Sequence, residues 1–521
     1  TSLFIDILLW KYDEGWDVIR QKWYEKQLDL GIIPSEAELS PRNRGVEPWE
    51  ELSEEQKALY AKMQEVFAAF LDHTDDQVGR LIEFLETQDL LDDTLIVFLS
   101  DNGASQEGGK HGTTNELAYF NLMPLQVDDM IQHLDEIGGP NYYNNYPWGW
   151  SQVGNTPLRF YKQNTYEGGI RDPLIMHWPN GIDDAGGIRD QYHHVIDLMP
   201  TILDIVGVES PENFQGVDQQ PVEGTSMRYT FPANAVDTPT TRPKQYYEMM
   251  GHRAIWSNGW KAVTMHRKGV PFEDEEWALY DTSKDFSECH DLSASEPEKL
   301  KEMIDLWWDE AESFNVLPLD DRGNELFFMR REDRLPLSKP QRFLKNTPHL
   351  ERFKIPDVRN RSFEIGAKVA LDRDSEGVLV ASGGRTGGIV LYVANSHLVF
   401  EYNFMGSSTI VSSERKLDTG ECELGVSYRK TAENHGTASL YIENKDNRDY
   451  LGEIEIDTLP YRQTMYGMDV GKDLGPTVSD KYVGPFTFTG NLEWIEFRLE
   501  NDRDDLEAAS AVEAKNALAD Q

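Results

Sequence analysis

An apolar run at residues 94–100 constrains the fold of this chain more than any other feature. The run reads TLIVFLS and lacks the polar alternation of a half-exposed strand. Such a run is typical of a strand that is buried on both faces of a parallel sheet. Apolar residues at helical spacing between Met63 and Leu85 predict a long amphipathic helix before it. The run stops at Asp101-Asn102-Gly103, which predicts an α/β sheet with polar residues at the edge where such sheets bind ligands.

The last third of the chain follows a different pattern. Short runs of alternating apolar and polar residues, separated by Gly, Asn and Asp, lie at residues 363–369, 387–393, 398–404, 421–428, 438–442 and 494–499. This pattern predicts a β-sandwich. Residues 318–360 before it are rich in Pro, Arg, Lys and Asn, which is typical of a linker. Strands at 245–249 and 260–264 and a helix at 296–314 predict a smaller α+β unit upstream of that linker.

Net charge narrows the classes of function. The chain has 92 acidic and 50 basic residues among 521, a formal net charge of -42. Such a surface repels nucleic acids and anionic membranes, so we predict neither as a partner. The excess of carboxylates suits a divalent-cation site, although a merely solvated acidic surface is the more common explanation.

Redox and targeting signals are weak. Cys289 and Cys422 are too few for a disulfide framework or a structural zinc site. No run approaches the roughly 20 apolar residues that cross a bilayer, so no membrane span is predicted. The apolar opening at residues 1–10 has no basic leader and is interrupted by Asp6, so it does not fit a signal peptide. The sequence leaves the compartment undecided.

Two stretches of the chain could carry chemistry together. Asp101 and Asn102 offer a carboxylate and an amide oxygen, which are hard ligands for Ca²⁺ or Mg²⁺. The alternative is an Asx-turn that only ends the strand. Further along, Lys162 precedes the turn Glu167-Gly168-Gly169, from which the next strand starts. A lysine at this point could contact an anion held by the metal.

These stretches, taken in order, resemble the sulfatase family of the alkaline-phosphatase-like superfamily. The resemblance rests on Ser-Asp-Asn-Gly at 100–103, Pro-Leu-Arg-x-x-Lys at 157–162, Glu-Gly-Gly-Ile-Arg-x-Pro at 167–173, and matching segments at 195–204 and 279–285. It covers residues 11–320, and the ordered combination is specific although each piece alone is weak.

The resemblance implies a fold and a domain order. We expect a partial alkaline-phosphatase-like α/β/α core, a small α+β subdomain and a C-terminal β-sandwich of the lectin or laminin-G type. The expected boundaries are 1–215 for the core, 216–320 for the subdomain, 321–354 for the linker, 355–500 for the sandwich and 501–521 for the tail.

The resemblance also implies roles for individual residues. It makes Asp101 and Asn102 calcium ligands, with magnesium as the alternative, and Lys162 a catalytic and substrate-binding contact to the sulfate and the departing ester oxygen. His252 is a further candidate for the substrate pocket. A cation and an ammonium group stabilise the negative charge that develops when a sulfate ester is cleaved. The implied activity is arylsulfatase-like hydrolysis of a small-molecule or carbohydrate sulfate ester.

The nucleophile of the family is a formylglycine, made from Cys or Ser in a Cys/Ser-x-Pro-x-Arg motif. We expect no such motif in this chain: Cys289 is followed by His-Asp-Leu-Ser, and Ser295-Glu296-Pro297-Glu298-Lys299 lacks the arginine. We therefore expect the formylglycine in a missing N-terminal segment and this chain to be an inactive fragment. Two other functions stay open: a phosphonate or phosphate diester hydrolase of the same superfamily, and a non-catalytic carbohydrate-binding protein that works through the sandwich.

Three further groups of residues carry weaker signals. His193 and His194 could bind a metal or substrate, but a place at the start of a helix is the preferred interpretation. The aromatic insertion at 142–150 either walls the pocket, where it could stack on an aryl or sugar ring, or is purely structural. Asp75 and Asp76 are expected on a solvated helix face.

Overall fold

The computed structural model describes residues 2–322, 339–444 and 447–502 of the chain. The helices of this part are α1 (Ser2–Leu8), α2 (Gly15–Asp29), α3 (Glu54–Thr87), α4 (Glu116–Tyr119), α5 (Val127–Ile131), α6 (Trp148–Gly154), α7 (Glu167–Ile170), α8 (Leu198–Val206) and α9 (Pro297–Ser313). The strands are β1 (Ile96–Leu99), β2 (Leu174–His177), β3 (Asn213–Phe214), β4 (Val217–Asp218), β5 (Lys244–Met249), β6 (His252–Ser257), β7 (Trp260–Thr264), β8 (Ala278–Asp281), β9 (Gln341–Leu344), β10 (Phe363–Leu371), β11 (Gly377–Gly384), β12 (Gly387–Ala394), β13 (His397–Phe404), β14 (Ser407–Ser412), β15 (Gly420–Ala432), β16 (His435–Asn444), β17 (Asn447–Asp457), β18 (Met468–Val470) and β19 (Asn491–Leu499). Beyond residue 502, the predicted tail at 501–521 lies outside the described residues.

The long predicted helix is α3, and its two halves differ in burial. A capping box starts the helix, because Ser53 Oγ accepts the backbone N–H of Gln56 and the Gln56 side chain accepts the backbone N–H of Ser53. Leu59 and Met63 in the first half are fully buried in an aromatic-rich core, whereas Phe84 in the second half is 57% exposed. Within the described residues, no helix combines the length and the apolar character that crossing a bilayer requires.

The apolar run at 94–100 forms β1, but its surroundings differ from the prediction. β1 pairs antiparallel with β2, with Leu99 opposite Leu174. Among the described residues these two strands form a sheet by themselves. Phe98 and Ile175 are 50% and 59% exposed. The prediction of a strand buried on both faces of a parallel sheet is therefore wrong for this part of the chain, because no layer of described residues covers the apolar side chains.

The small α+β unit is a four-stranded antiparallel sheet in the order β5-β6-β7-β8, with α9 packed against it. Met303 and Trp307 of α9 are fully buried. The indole N–H of Trp307 donates to the carbonyl oxygen of Tyr247 in β5 at 3.0 Å. The two strands and the helix that the sequence predicts for this unit are confirmed as β5, β7 and α9.

The C-terminal region is a β-sandwich, as predicted. One sheet has six strands in the order β17-β16-β15-β10-β19-β9, and the other has five in the order β14-β13-β12-β11-β18. The inner faces of the two sheets share one hydrophobic core, which includes the fully buried Ile365, Leu391 and Leu424. The edge strand β9 lies inside the predicted linker, where Arg342 pairs with Glu496 of β19.

The sandwich packs against the segment around α4. Asn121, which is almost fully buried, accepts the backbone N–H groups of Tyr461 and Arg462 at 3.0 and 2.9 Å through its side-chain oxygen. Its amide nitrogen donates to the carbonyl oxygen of Arg462 at 2.9 Å. Asn115, which caps α4, donates to the carbonyl oxygen of Met405 at 3.2 Å. The predicted sandwich is therefore docked on the α/β region through specific hydrogen bonds.

Candidate functional site

The antiparallel pairing of β1 and β2 brings together two of the segments that the sequence singled out. Ser100 donates its backbone N–H to the carbonyl oxygen of Pro173 at 3.4 Å, and Gly103 donates to that of Gly169 at 3.2 Å. Asp101 therefore lies at the same end of the sheet as the Glu-Gly-Gly turn that leads into β2.

Two glycines allow these segments to approach each other. A Cβ on Gly103 would lie 1.8 Å from the carbonyl oxygen of Gly168, and a Cβ on Gly168 would lie 2.2 Å from the carbonyl oxygen of Arg159. Both distances are far inside van der Waals contact, so any side chain would push the backbones apart. Close backbone packing therefore requires glycine at both positions of the motifs.

Lys162 lies next to the segment that carries Asp101. Its backbone N–H donates to the carbonyl oxygen of Ala104 at 3.1 Å. Phe160 and Gln163, on either side of it, have positive φ values of 59° and 70°, so the chain makes a tight turn here. The ammonium Nζ of Lys162 lies 3.0 Å from Oε2 of Glu107, and the lysine side chain stays partly exposed. The two candidate stretches are thus hydrogen-bonded neighbours, with a carboxylate that the sequence did not single out beside the lysine.

The proposed metal pair consists of an exposed Asp101 and a half-buried Asn102. Nδ2 of Asn102 donates to the carbonyl oxygen of Gly103 at 3.0 Å, and the Asn102 carbonyl oxygen accepts Ser100 Oγ at 2.8 Å. These bonds fit a local turn, and they do not use Oδ1 of Asn102 or the Asp101 carboxylate. The turn and the ligand pair are therefore compatible at this position.

Asp172, which the sequence analysis did not single out, adds a second carboxylate at the start of β2. Burial, together with the nearby carboxylates of Asp101 and Glu167, raises the pKa of Asp172 to about 7. A bound cation would relieve this crowding of negative charge. The sequence signal that could have indicated Asp172 was its position just before Pro173, at the start of β2. This strand pairs with β1, which leads to Asp101.

The ligand atoms of this site are of the type that a hard divalent cation binds, but there are too few of them for a complete coordination shell. Asp101, Asn102 and Asp172 offer carboxylate and amide oxygens, which Ca²⁺ and Mg²⁺ prefer. Ca²⁺ takes about 6–8 oxygens. The described part of the chain holds no group of three or more His, Cys, Asp or Glu residues placed to bind a metal ion. The residues present can therefore supply part of a calcium shell.

A buried ion triad ties this region to the small α+β unit. Lys261, fully buried in β7, donates from Nζ to Oε1 of Glu167 and pairs with Oε1 of Glu288, both at 2.8 Å. Oε2 of Glu288 accepts the backbone N–H of Glu167 at 2.8 Å. Burial by itself raises the pKa of Glu167, but the Lys261 ammonium outweighs burial and lowers that pKa. The triad therefore holds the turn that follows Lys162.

Neither Lys261 nor Glu288 was predicted from the sequence. The available signal was a lysine inside the apolar strand β7, because a buried lysine needs carboxylate partners. The identity of those partners could not be predicted, since Glu167 and Glu288 are far apart in the sequence and meet only in the fold.

His252 lies apart from this cluster, in the small α+β unit. Its Nδ1 accepts the backbone N–H of His266 at 2.9 Å. Burial and the nearby His266 lower the pKa of His252 to about 4. Its described hydrogen bond involves neither Lys162 nor Asp101, so a role of His252 in the substrate pocket stays a prediction.

The preferred interpretation of the two neighbouring histidines is confirmed. Nδ1 of His194 accepts the backbone N–H of Ile196 at 3.5 Å at the start of the helical segment, and Nδ1 of His193 lies 2.9 Å from Oδ2 of Asp197. Asp197 is fully buried and also pairs with Arg242. These histidines therefore hold the start of the segment that continues into α8.

In the aromatic insertion at 142–150 one residue is structural, while the role of the insertion as a pocket wall stays a prediction. Trp150 is 1% exposed and donates its indole N–H to the carbonyl oxygen of Tyr60 at 2.9 Å, so it is structural. Tyr143, in contrast, is 47% exposed. Asp75 and Asp76 are exposed on α3, as expected.

Comparison with known proteins identifies the region that carries these segments. A family model described as Sulfatase matches residues 32–208, and one described as N-sulphoglucosamine sulphohydrolase, C-terminal, matches residues 158–312. Residues 32–312 of the chain are therefore similar to sulfatases. Its sulfatase region, residues 32–312, contains the contact between Lys162 and the Asp101 segment, whereas the sandwich lies beyond it.

Two curated relatives show how much of the family is present. An uncharacterized sulfatase of Schizosaccharomyces pombe is 34% identical over 316 residues, which are 60% of this chain and 55% of that protein. An arylsulfatase of Klebsiella aerogenes is 28% identical over 224 residues, which are 43% of this chain and 46% of that protein. The chain therefore spans about half the length of the curated relatives it matches.

Two solved structures match parts of the chain. The crystal structure of Ps i-CgsB in complex with k-i-k-neocarrahexaose is 25% identical, with a TM-score of 0.32 over 51% of this chain and 44% of that one. The Ruminococcus gnavus IT-sialidase CBM40 is 12% identical, with a TM-score of 0.23 over 33% of this chain and 97% of that one. Both TM-scores lie below 0.5, and neither likeness indicates a function.

The expected absence of a nucleophile motif needs one correction. Ser338-Lys339-Pro340-Gln341-Arg342 matches Ser-x-Pro-x-Arg, but it lies outside the sulfatase region. Ser338 is outside the described residues, while Arg342 belongs to the edge strand β9, where it pairs with Glu496 and lies 4.1 Å from the ring of Trp494. The motif is therefore absent from the sulfatase region but not from the whole sequence.

Proposed function

We propose that this chain contributes the calcium and sulfate contacts of an active site that hydrolyses sulfate esters. The proposal rests on the 3.1 Å hydrogen bond between Lys162 and Ala104, which joins the lysine to the segment that carries Asp101. An ammonium group and clustered carboxylates in one hydrogen-bonded unit suit a reaction in which negative charge develops on a sulfuryl group.

In this proposal Lys162 contacts a sulfuryl oxygen and the departing ester oxygen. Its ammonium group now pairs with Glu107 at 3.0 Å, and its side chain is partly exposed. Because part of the lysine side chain is exposed, the sulfate group of a substrate can reach the ammonium and compete with Glu107 for it. The Lys261 triad supports this role, because it holds the turn that follows Lys162.

The proposed cation is calcium, with magnesium as the alternative, held in part by Asp101 and Asn102. Asp172 would add a further oxygen. When bound, the cation supplies Lewis acidity that stabilises charge on the sulfuryl oxygens. The close backbone contact between Gly103 and Gly168 keeps the Asp101 segment in place beside Lys162.

The nucleophile is the part of the proposed reaction for which the sulfatase region offers no candidate. The family resemblance implies a formylglycine, and the one matching pentapeptide, at 338–342, runs into the edge strand of the sandwich. We therefore propose that the 521-residue chain by itself does not hydrolyse aryl sulfates. The substrate class of the complete site is a small-molecule or carbohydrate sulfate ester.

A chromogenic aryl sulfate tests the chain directly. The purified chain with calcium should release no more product than buffer does. Turnover that survives further purification and is lost in Lys162→Ala would contradict the proposed inactivity, while it would support the role of the lysine.

A second assay tests the residue roles after a sulfatase segment with the nucleophile motif has been fused to the chain. Lys162→Ala should lower the rate of the fused enzyme by roughly 10²–10³-fold, which is the usual effect of removing one electrostatic donor. Asp101→Ala should remove most activity, whereas the matched control Asp75→Ala on the solvated face of α3 should change little. An active fusion that is indifferent to Asp101→Ala and Lys162→Ala would refute the site.

A further inference from the structure

Two arginines of the C-terminal region lie beside the sulfatase region without a carboxylate partner. Nη1 of Arg462 is 3.5 Å from the sulfur of Met465, and Nη1 of Arg352 is 3.9 Å from the same sulfur. Among the described residues, that sulfur is the only polar side-chain partner of either guanidinium group. The chain as a whole is rich in carboxylates, with 92 acidic and 50 basic residues.

The contact between the sandwich and α4 fixes the position of this pair. The guanidinium carbon of Arg462 lies 3.7 Å from the centre of the Phe120 ring. The next residue, Asn121, forms hydrogen bonds with the backbone of Arg462. Burial and the like charge of Arg352 lower the pKa of Arg462 to about 10. Two cations held this close repel each other, and an anion between them would relieve the repulsion.

The arginine pair also lies within electrostatic reach of the proposed sulfate site. Burial raises the pKa of Glu116 in α4, and both Arg462 and Lys162 oppose that rise, so Glu116 lies near both cations. Tyr143 has Glu116 and Arg352 among its charged neighbours. The backbone N–H of Glu116 also donates to the carbonyl oxygen of Tyr143 at 3.0 Å, so Tyr143 lies beside the residue whose carboxylate both Lys162 and Arg462 influence.

We propose that Arg352 and Arg462 form a second anion subsite, which binds a sulfate or carboxylate group on the saccharide whose sulfate ester is held at Lys162. Guanidinium groups bind oxyanions through paired N–H donors. The half-exposed ring of Tyr143 offers an apolar face on which a sugar ring could stack. The subsite deepens the proposed function, and it rests on that function only for the identity of the group bound at Lys162.

Calorimetric titration of the full chain with a trisulfated heparin disaccharide tests the subsite. Arg352→Gln should weaken binding roughly tenfold or more, because it removes charge-assisted hydrogen bonds to an anion. The matched control Arg373→Gln changes an exposed arginine in the turn between β10 and β11 and should leave binding unchanged. Equal affinity of the unaltered chain and Arg352→Gln would overturn the proposal.

Arg462 needs a second variant because it also packs on Phe120. Arg462→Lys keeps the positive charge and should retain more affinity than Arg462→Gln, at equal melting temperature. If Arg462→Gln melts like the unaltered chain and binds the disaccharide equally well, Arg462 is only a contact between the two regions and the subsite is refuted.

Three further probes separate the chemical sources of the anion. An unsulfated chondroitin disaccharide, which carries one carboxylate, should bind more weakly than the trisulfated one, and inorganic sulfate should bind more weakly still. Cellobiose should not bind, and neutral binding that matches the sulfated probe would contradict an anion subsite. Lys162→Gln reports on the proposed function separately: affinity lost in Arg352→Gln but kept in Lys162→Gln supports the subsite and counts against the sulfate contact at Lys162.

Discussion

The sandwich and the β1–β2 sheet are both built from strongly apolar strands, but they differ in what covers them. In the sandwich, side chains such as Ile365 and Leu424 meet those of the opposite sheet and are fully buried. In the β1–β2 sheet, Phe98 and Ile175 stay half exposed. An apolar pattern therefore predicts a strand, whereas its burial depends on a second layer that the strand itself does not specify.

The difference extends to what stabilises each region. The sandwich relies on one continuous hydrophobic core between two sheets. The sulfatase region combines a smaller aromatic core with buried ionic groups, among them the Lys261 triad and the pairing of Asp197 with Arg242. Because charges are costly to bury unless they are paired, the sulfatase region should respond more strongly than the sandwich to changes of charge.

The largest expected effect follows from removal of the buried cation. Lys261→Met leaves the carboxylates of Glu167 and Glu288 buried without their ammonium partner, and such a loss costs roughly 3–5 kcal/mol. Urea unfolding should show this loss, and hydrogen exchange should rise around residues 159–173 while the sandwich stays protected. In the matched control Lys284→Met, the lysine that pairs with Asp281 is 82% exposed, so its loss should cost about 1 kcal/mol or less. Equal effects of the two substitutions would show that the triad does not hold the turn.

A pair of hydrophobic truncations sharpens the comparison of the two sheets. Leu424→Ala removes a fully buried side chain from the sandwich core and should cost roughly 2–5 kcal/mol. Ile175→Ala shortens a side chain that is 59% exposed on β2 and should change the free energy of unfolding by less than about 1 kcal/mol. Denaturant titration of both variants measures the difference, and comparable losses would mean that the β1–β2 sheet is covered in solution.

Acidification should weaken the sulfatase region through its buried histidines. Burial lowers the pKa of both His194 and His252 to about 4, below the value near 6.5 of an unfolded chain. Because the folded pKa is the lower one, the stabilising contribution is complete above about pH 6.5 and is lost as the pH falls towards 4. The melting temperature should therefore fall less between about pH 7 and pH 5 in His252→Gln than in the unaltered chain. An identical pH dependence of the variant would contradict this account of His252.

Local signals predicted many elements of the fold. The apolar spacing between Met63 and Leu85 predicted α3, which starts at a capping box of Ser53 and Gln56. Gly207, with a φ of 67°, ends α8. The strand β11 escaped prediction because all of its residues are buried, so it has no polar alternation. Its second face is covered by a loop that contributes Val478 and Tyr482. Burial by a distant segment thus removed the signal on which strand prediction depends.

In the candidate site, too, some residues could be predicted from the sequence and others could not. Asp101, Asn102 and Lys162 were predicted because each lies in a short motif next to a strand or a turn. Glu107 and Asp172 were not, since their importance comes from the groups that the fold places beside them. Motifs could therefore locate the site, whereas its electrostatics depend on contacts between residues far apart in the sequence.

Calcium titration tests most directly the central claim that segments 101–104 and 160–163 form one cation and sulfate site. Calorimetry in the presence of sulfate should detect a weak calcium site in the full chain above the background of surface carboxylates. Asp101→Asn should remove that site, and Asp75→Asn, which makes the same change on an exposed helix face, should retain it. Calcium binding that falls equally in both variants, or that is unchanged in Asp101→Asn, would contradict the proposed site.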